Sequence, residues 1–198
     1  MIYISIFFNT GLCWACASVS CVEAFLTMKT GELLPLSVQQ PMDTHRAQMC
    51  GSGSAPIAFQ HMMQYGGLAT EKDYPFTRKY GVSKYKPSAL RITGYGRVPP
   101  YDLHALKWAI IHGPVTACIE ATPEFCQHCQ EGIFRGKFIF LNHVVLITGF
   151  GRTLYGERFF EIQNSWGTEW GNKGKTLIID EGYCNLAAYA HYPTMYGI

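Results

Sequence analysis

Apolar positions in the first half of the chain recur with a helical period. The stretch from Leu12 to Lys29 has few helix-breaking residues and an apolar periodicity, and Gly31 behind it is a typical C-terminal cap. Ser54-Ala55-Pro56 opens a second predicted helix that runs to about Tyr65. Proline suits a first helical turn because its missing N–H needs no partner there.

The second half of the chain changes to short runs of β-branched and aromatic residues. Asp102 is predicted to cap one more helix, Leu103 to His112. Four strands are then predicted, at Val115 to Ile119, His143 to Gly149, Phe159 to Gln163 and Thr176 to Ile179. Helices followed by strands indicate an α+β fold. We expect one domain over residues 1–198 with two lobes, a helical one over about 9–100 and a β-rich one over about 101–198, with a substrate cleft between them.

Composition and charge exclude several classes of function. Only 15% of the residues are charged, the formal net charge is +2, and no dense run of Lys or Arg occurs, so nothing supports binding to nucleic acid or to a membrane surface. No apolar run reaches the roughly 20 residues that span a bilayer. Residues 1–8 are apolar but lack a basic start and a cleavage motif, so they are not a convincing signal peptide. The alternative is a truncated or atypical one.

Cys13 is a candidate nucleophile because it stands at the opening of the first predicted helix. The partial positive charge of a helix N-terminus favours the thiolate over the thiol. The alternative is a buried structural cysteine that acts as a small hydrophobic residue. The chain contains eight cysteines, a share that indicates a secreted or vacuolar ancestry.

Among the seven histidines, His143 is the candidate partner of such a thiolate. It opens the most apolar strand of the chain, whereas His45, His61 and His112 stand in polar or helical surroundings and are expected at the surface. The alternative for His143 is a hydrogen-bonded histidine at a strand end.

Asn164 and Trp166 complete the candidate set. An asparagine at a strand end can accept the imidazole N–H and fix the ring, and a neighbouring indole can shield that bond from water. The alternative is a simple turn. The order Cys, His, Asn, with the last two about 130 to 150 residues after the first, is typical of papain and the cathepsins.

With these residues in place, the sequence resembles the papain family of cysteine peptidases from about Asn9 to Pro193. The motifs that carry the resemblance are Cys13-Trp14-Ala15, Leu36-Ser37-Val38-Gln39-Gln40, Cys50-Gly51-Ser52-Gly53, Tyr74-Pro75-Phe76, Gly113-Pro114-Val115, Asn142-His143-Val144-Val145 and Asn164-Ser165-Trp166-Gly167 with Trp170-Gly171. The resemblance implies a two-lobe fold, with a helical left lobe and a β-barrel-like right lobe whose facing sides bring Cys13 to His143. It also implies hydrolysis of peptide bonds through an acyl-enzyme.

The resemblance assigns roles to individual residues. Cys13 attacks the carbonyl, His143 protonates the leaving amine, Asn164 orients His143, and Trp166 covers their contact. The implied substrate-binding residues are Gly53, Ser54, Ala55, Cys118, Leu141, Asn142, Val144 and Tyr189. Because the pocket is mostly apolar, we expect it to take a hydrophobic residue at the second position before the cut. No cofactor and no metal are expected.

The sequence departs from the family pattern just before the nucleophile. Phe7 occupies the position of a glutamine that helps to hold the oxyanion, and losing one such donor costs about 10²–10³ in rate. The chain also begins closer to Cys13 than family members do, which predicts a truncated or alternatively started gene. The alternative function is therefore a weakened or inactive homologue that serves as a binding or storage protein.

The cysteine pattern departs as well. By resemblance, Thr10 replaces the partner of Cys50, Thr44 and Ser83 replace both ends of a second bridge, and the partner position of Cys184 lies near Phe138. Cys126-Gln127-His128-Cys129 has no second pair of ligands at suitable spacing, so we expect a local disulfide or thiols there rather than zinc.

The family also implies partners and a location. We expect peptide or protein substrates, protein inhibitors of cysteine peptidases and a monomeric state. The expected location is the lysosome, the vacuole or the extracellular space.

Overall fold

The computed structural model describes residues 11–46, 53–84, 91–127, 132–180 and 185–195. These residues form two compact units: the first holds the described residues up to 96 and residues 193–195, and the second holds those from 97 to 192. Within the described ranges no helix is long and apolar enough to cross a bilayer. Several expectations lie outside these ranges, namely those on Phe7, Thr10, Cys50, His128, Cys129 and Cys184.

The first unit is built on three helices, α1 (Cys13–Thr30), α2 (Gln39–Arg46) and α3 (Ala55–Gln64). Helix α1 ends as predicted at Gly31, which takes a left-handed φ of 78° and donates its N–H to the Thr27 carbonyl at 2.8 Å. The helix is apolar around most of its circumference and is correspondingly buried along most of its length. Helix α3 packs against it.

Helix α2 was not predicted, because its residues are mostly polar, yet it is buried. Its polar groups are paired inside the unit. Gln39 Nε2 donates to Asp43 Oδ1 at 2.7 Å, and the Tyr74 hydroxyl donates to Asp43 Oδ2 at 2.8 Å. Gln40 Oε1 accepts the backbone N–H of Ala69 at 2.7 Å. Buried polar groups are tolerated when each finds a hydrogen-bond partner, so a polar sequence here forms part of the interior.

The prediction that His45 and His61 lie at the surface was wrong. His45 and His61 are 2% and 5% exposed. The His45 ring meets the Trp14 indole edge-to-face at 5.0 Å between centroids, and the His61 ring lies 6.1 Å from His45. Imidazole rings can pack against aromatic rings, and the polar character of the sequence around these two histidines hid this role. His112, by contrast, is exposed as expected.

The second unit contains α4 (Leu103–His112), α5 (Pro123–Gln127) and most of a sheet. Asp102 caps α4 as predicted, accepting the Ala105 N–H at 2.9 Å. The strands are β1 (Gly94–Arg97), β2 (Val115–Ile119), β3 (Ile133–Phe134), β4 (His143–Arg152), β5 (Arg158–Gln163), β6 (Lys175–Ile179) and β7 (Ala190–Thr194). All four predicted strands are present; β1, β3 and β7 were not predicted.

The strand order among the described residues is β1-β7-β2-β4-β5-β6-β3. Strand β4 lies between β2 and β5, antiparallel to both, and β3 runs parallel to β6. The order has two ends, so the sheet is open and does not close into a barrel. The combination of helices and a mainly antiparallel sheet confirms the α+β class.

Candidate active site

Cys13 is the first residue of α1 and is partly exposed. The Leu12 carbonyl accepts the N–H groups of Ala15 and Cys16 at 3.0 and 3.1 Å, so the first turn is closed by backbone bonds without a side-chain cap. The helix dipole at this end favours negative charge on the sulfur. The predicted placement of this cysteine at a helix N-terminus is confirmed.

Trp14, the next residue, anchors this turn in the first unit. Its side chain is only 1% exposed, and the backbone of Gly53 lies directly on its ring. A Cβ built on Gly53 would stand 2.4 Å from Trp14 Cδ2, so only glycine fits against the indole. The chain beside α1 therefore carries no side chain at position 53.

Two further residues of the predicted substrate pocket follow Gly53. Ser54 is extended, with φ −138° and ψ 162°, and its hydroxyl caps no helix N–H. Ser54 is half-buried, whereas Ala55 is 2% exposed and offers almost no surface of its own.

In the second unit the sheet brings His143 to Asn164. His143 is the first residue of β4, and Asn164 comes directly after the last residue of β5. The two strands are antiparallel neighbours, with Leu146 opposite Gln163, so the start of one lies beside the end of the other. His143 Nε2 and Asn164 Oδ1 are 2.8 Å apart, in the interaction that the sequence predicted.

A backbone contact sets the orientation of the Asn164 amide and the imidazole tautomer. The Ser165 N–H, which can only donate, points at Asn164 Oδ1 at 2.8 Å. That amide atom must therefore be the oxygen, and an oxygen accepts. His143 Nε2 must then carry the proton, which leaves Nδ1 of the neutral ring as the basic nitrogen.

Trp166 lies on the His143 ring as expected. The ring centroids are 4.7 Å apart at an angle of 28°, and the indole is 5% exposed. Trp166 is itself held edge-on by Trp170 and by Phe125 of α5, at 5.2 and 5.8 Å. This aromatic packing fixes the plane of the imidazole and lowers the dielectric around its hydrogen bond to Asn164.

Burial governs the protonation of His143. The ring is 7% exposed, and the loss of solvation lowers the pKa of His143, while the hydrogen bond to Asn164 raises it in part. Within the second unit alone, the imidazole is therefore poised toward its neutral form.

Three of the predicted pocket residues in the second unit are neighbours. Cys118 stands opposite Val144 in the register of β2 and β4, and the Cys118 N–H donates to the Tyr189 carbonyl at 3.1 Å. Cys118 and Tyr189 are half-buried, whereas Val144 is 6% exposed.

The other two pocket residues lie in the loop before His143. Leu141 is 41% exposed. Asn142 accepts the Ala121 N–H through Oδ1 at 2.8 Å and donates its own N–H to the Ile119 carbonyl at 3.0 Å, so its side chain ties this loop to the end of β2.

Sequence reasoning missed two groups that the structure adds to the site. One is the Ser165 N–H, for which no signal exists in residue identities because it is a backbone atom. The other is Cys16, one helical turn after the nucleophile and 5% exposed. Its spacing of three residues from Cys13 was a readable signal.

Comparison with known proteins agrees with this geometry. The family described as papain family cysteine protease matches residues 8–194. The senescence-specific cysteine protease SAG12 of Arabidopsis thaliana is 37% identical over 197 residues, covering 94% of this chain and 57% of the relative. A vignain of Ricinus communis is 37% identical over 194 residues, covering 92% of this chain and 54% of the relative. The chain thus spans little more than half the length of these curated relatives.

A solved structure bears out the predicted papain-like architecture. The bromelain protease from Ananas comosus, solved in complex with the inhibitor E64, superposes with a TM-score of 0.90 at 32% identity, covering 98% of this chain and 94% of that one. With the family match over nearly the whole chain, this likeness establishes that the chain belongs to the papain family of cysteine proteases.

Proposed function

We propose that this chain is a cysteine peptidase that hydrolyses peptide bonds with Cys13, His143 and Asn164 as its catalytic residues. The observation that carries the proposal is the His143–Asn164 hydrogen bond, with the amide oriented by the Ser165 N–H and the ring held by Trp166. Because Nε2 of His143 carries the proton that Asn164 accepts, Nδ1 is left to exchange a proton with the Cys13 thiol. The family match supports the same assignment.

The mechanism follows from these groups. The Cys13 thiolate attacks the scissile carbonyl carbon, the protonated His143 gives its proton to the leaving amine, and an acyl-enzyme forms. Water then attacks the thioester with the neutral His143 as general base, which releases the acid and restores the thiolate. Asn164 acts throughout as a positioning residue, because it accepts from Nε2 and keeps the ring orientation.

The proposal requires the His143 imidazole to reach the Cys13 sulfur. Reaction with an epoxide inhibitor of the E64 type, followed by peptide mapping, tests that requirement, because such epoxides alkylate thiolates that are paired with an imidazolium. We expect modification at Cys13 in the wild type and its loss in His143→Ala. His104→Ala, which changes an exposed histidine of the same unit, is the matched control and should label normally.

A folded chain that does not label at Cys13 would overturn the peptidase proposal. It would favour the inactive homologue that acts as a binding or storage protein.

The substrate is a finer proposal. Gly53 offers backbone hydrogen bonds to an extended peptide, and Ser54, Ala55, Cys118, Leu141, Val144 and Tyr189, with Asn142 beside them, take the side chain of the second residue before the cut. The apolar pair of Cys118 and Val144 supports a hydrophobic residue there. Cleavage of a peptide series that differs only at that position tests this, and a preference for Lys or Asp over Leu and Phe would contradict it.

The remaining expectations follow from family membership. Peptide and protein substrates, protein inhibitors of cysteine peptidases and a monomeric state stay part of the proposal, as does a lysosomal, vacuolar or extracellular location. The single-domain division into residues of about 9–100 and 101–198 is likewise retained as a prediction.

A further inference from the structure

The peptidase mechanism uses one thiol of α1 and leaves a second one, Cys16, without a role. Cys16 occupies the position that is phenylalanine in the Cys-Trp-Ala-Phe motif that this segment resembles. It is 5% exposed, whereas Cys13 is partly exposed. The segment thus reads Cys-Trp-Ala-Cys at the N-terminus of a long helix, a dithiol spacing associated with redox chemistry.

Helix geometry places the Cα atoms of these two cysteines within the range that disulfides join. Residues three apart lie on the same face of a helix, and the rise and radius put their Cα atoms about 5 Å apart. Disulfides join Cα atoms that are about 4.4–6.8 Å apart. The Leu12 carbonyl accepts from both Ala15 and Cys16, a shared bond that is common at helix termini and that closes the turn between the two cysteines.

The third thiol of α1 is not an alternative partner. Cys21 lies eight residues beyond Cys13, a rise of about 12 Å, and is fully buried. Among the three cysteines of this helix, Cys16 alone is spaced to bond with Cys13.

The two thiols also differ in protonation and in exposure to solvent. The helix N-terminus favours the Cys13 thiolate, the form that reacts with peroxides. Burial, and then the nearby negative charge of Cys13, raise the pKa of Cys16 to about 12, so Cys16 stays protonated beside it. One sulfur is therefore exposed and oxidisable, and the other is sheltered and keeps its proton.

We propose that Cys13 and Cys16 form a reversible disulfide that switches off the nucleophile and protects it from irreversible oxidation. The inference rests on Cys13 being the nucleophile of the proposed peptidase. The oxidant is hydrogen peroxide or an organic peroxide, and the reductant that reverses the bond is a dithiol.

The chemistry balances in two steps. The Cys13 thiolate attacks one peroxide oxygen and breaks the O–O bond, which gives a sulfenic acid and a hydroxide or alkoxide. The Cys16 sulfur then bonds to the Cys13 sulfur, and the displaced hydroxyl leaves with the Cys16 proton as water. The dithiol reductant takes the bond apart by exchange and is itself oxidised to a disulfide.

The test treats the intact chain with hydrogen peroxide, blocks the remaining thiols by alkylation and measures the mass of the protein and its peptides. We expect the wild type to lose two hydrogens, to yield a peptide that contains a Cys13–Cys16 bond, and to regain epoxide labelling in full after dithiothreitol. In Cys16→Ala we expect sulfinic or sulfonic acid at Cys13, with no recovery. Cys21→Ala, a buried thiol of the same helix, is the matched control and should behave as the wild type.

Cys16→Phe, which installs the side chain of the resembled motif, repeats the test in a second background in case the alanine variant folds poorly. If the wild type and both Cys16 variants oxidise to the same products, or if Cys13 bonds to another cysteine, the inference is overturned. The mass readout does not need peptidase activity. A chain that labels with the epoxide but forms no such bond therefore contradicts only this inference. A chain that forms the bond but never labels contradicts the peptidase, and with it the switch, but not the bond itself.

Discussion

At the scale of single residues, the Asn164 amide determines which nitrogen of His143 holds the proton. An asparagine can present either its oxygen or its nitrogen to an imidazole, and each choice dictates a different tautomer. The Ser165 N–H removes the ambiguity, because it pairs with the same atom that faces His143 Nε2. The orientation of the ring thus depends on a backbone donor one residue away.

Replacing Asn164 should separate orientation from charge. In Asn164→Ala the ring loses its acceptor, and a misplacement of about 1 Å costs about a hundredfold in kcat/KM. In Asn164→Asp one carboxylate oxygen still accepts from Nε2, and the other replaces Nδ2, a buried atom that has no hydrogen-bond partner among the described residues. The added negative charge raises the pKa of His143, so the alkaline limb of the kcat/KM profile should move to higher pH.

The pH dependence of kcat/KM for both variants checks this. Asn172→Asp, which adds the same charge at an exposed position of the same unit, is the control and should leave the limb in place. An unshifted limb in Asn164→Asp, or wild-type activity in Asn164→Ala, would contradict the positioning role.

At the scale of the elements, the local sequence pattern of apolar residues, caps and β-branched runs was sufficient to predict α1, α3 and α4 and the central strands β2, β4, β5 and β6. It failed for α2, whose polar side chains are buried through hydrogen bonds to distant backbone groups, such as that of Gln39 Nε2 with the Lys79 carbonyl at 2.7 Å. Such pairs join residues far apart in the chain and leave no local pattern. It also failed for β1 and β7, where glycines and a proline weaken the strand signal.

Some features of the candidate site could likewise be predicted from the sequence, and others could not. The identities of Cys13, His143, Asn164 and Trp166 could be predicted from the motifs, because each is tied to the end or the start of a recognisable element. The amide orientation and the aromatic support of Trp166 could not, since they depend on the register of β4 with β5 and on α5.

Helix α2 also carries Thr44, one of two positions that the family resemblance places at the ends of a disulfide. Thr44 and Ser83, which stand at both ends of a bridge in the resembled family, have their hydroxyl oxygens 3.2 Å apart. The two side chains thus still meet after the sulfurs are gone. A hydroxyl pair constrains the folded chain but leaves the unfolded chain unrestricted.

Restoring the bridge with Thr44→Cys and Ser83→Cys should stabilise the oxidised protein. Closing a loop of this length is worth about 3–4 kcal/mol, reduced by roughly 1 kcal/mol because Thr44 no longer donates to the Gln40 carbonyl. Urea unfolding with and without dithiothreitol measures the gain, with each single cysteine variant as a control. A double variant that does not oxidise, or that gains nothing when oxidised, would show that the two positions no longer meet in bridging geometry.

At the scale of the whole molecule, buried carboxyl groups and buried histidines respond to pH in opposite directions. In the first unit, burial raises the pKa of Glu23 to about 7, although the Leu36 N–H that it accepts at 2.7 Å lowers it in part. In the second unit, burial and the charge of Arg97 lower the pKa of His191 to about 4. Burial also raises the pKa of Glu71, as it does for Glu23. It lowers the pKa values of His61 and His143, as it does for His191.

The signs follow from comparing proton binding in the folded and unfolded states. Folded Glu23 holds a proton that the unfolded chain releases above its ordinary pKa of 4.5, so its contribution to stability is lost as pH rises toward 7. Unfolded His191 takes up a proton below 6.5 that the folded protein refuses until about pH 4, so stability is lost as pH falls through that range. Between pH 4.5 and 6.5 the two effects on the free energy of unfolding oppose each other.

Replacing either Glu23 or His191 should therefore leave the pH dependence of the unfolding free energy to the other residue. Glu23→Gln keeps an acceptor for the Leu36 N–H but cannot titrate, so its free energy of unfolding should rise more steeply from pH 4.5 to 6.5 than that of the wild type. His191→Gln should show the reverse, with stability that falls as pH rises. Urea unfolding of both variants and the wild type across this range measures the slopes, and Glu32→Gln, at an exposed position, is the control that should follow the wild type. Parallel slopes in all four proteins would mean that neither buried group titrates with a shifted pKa, because differences between slopes depend only on the substituted residue.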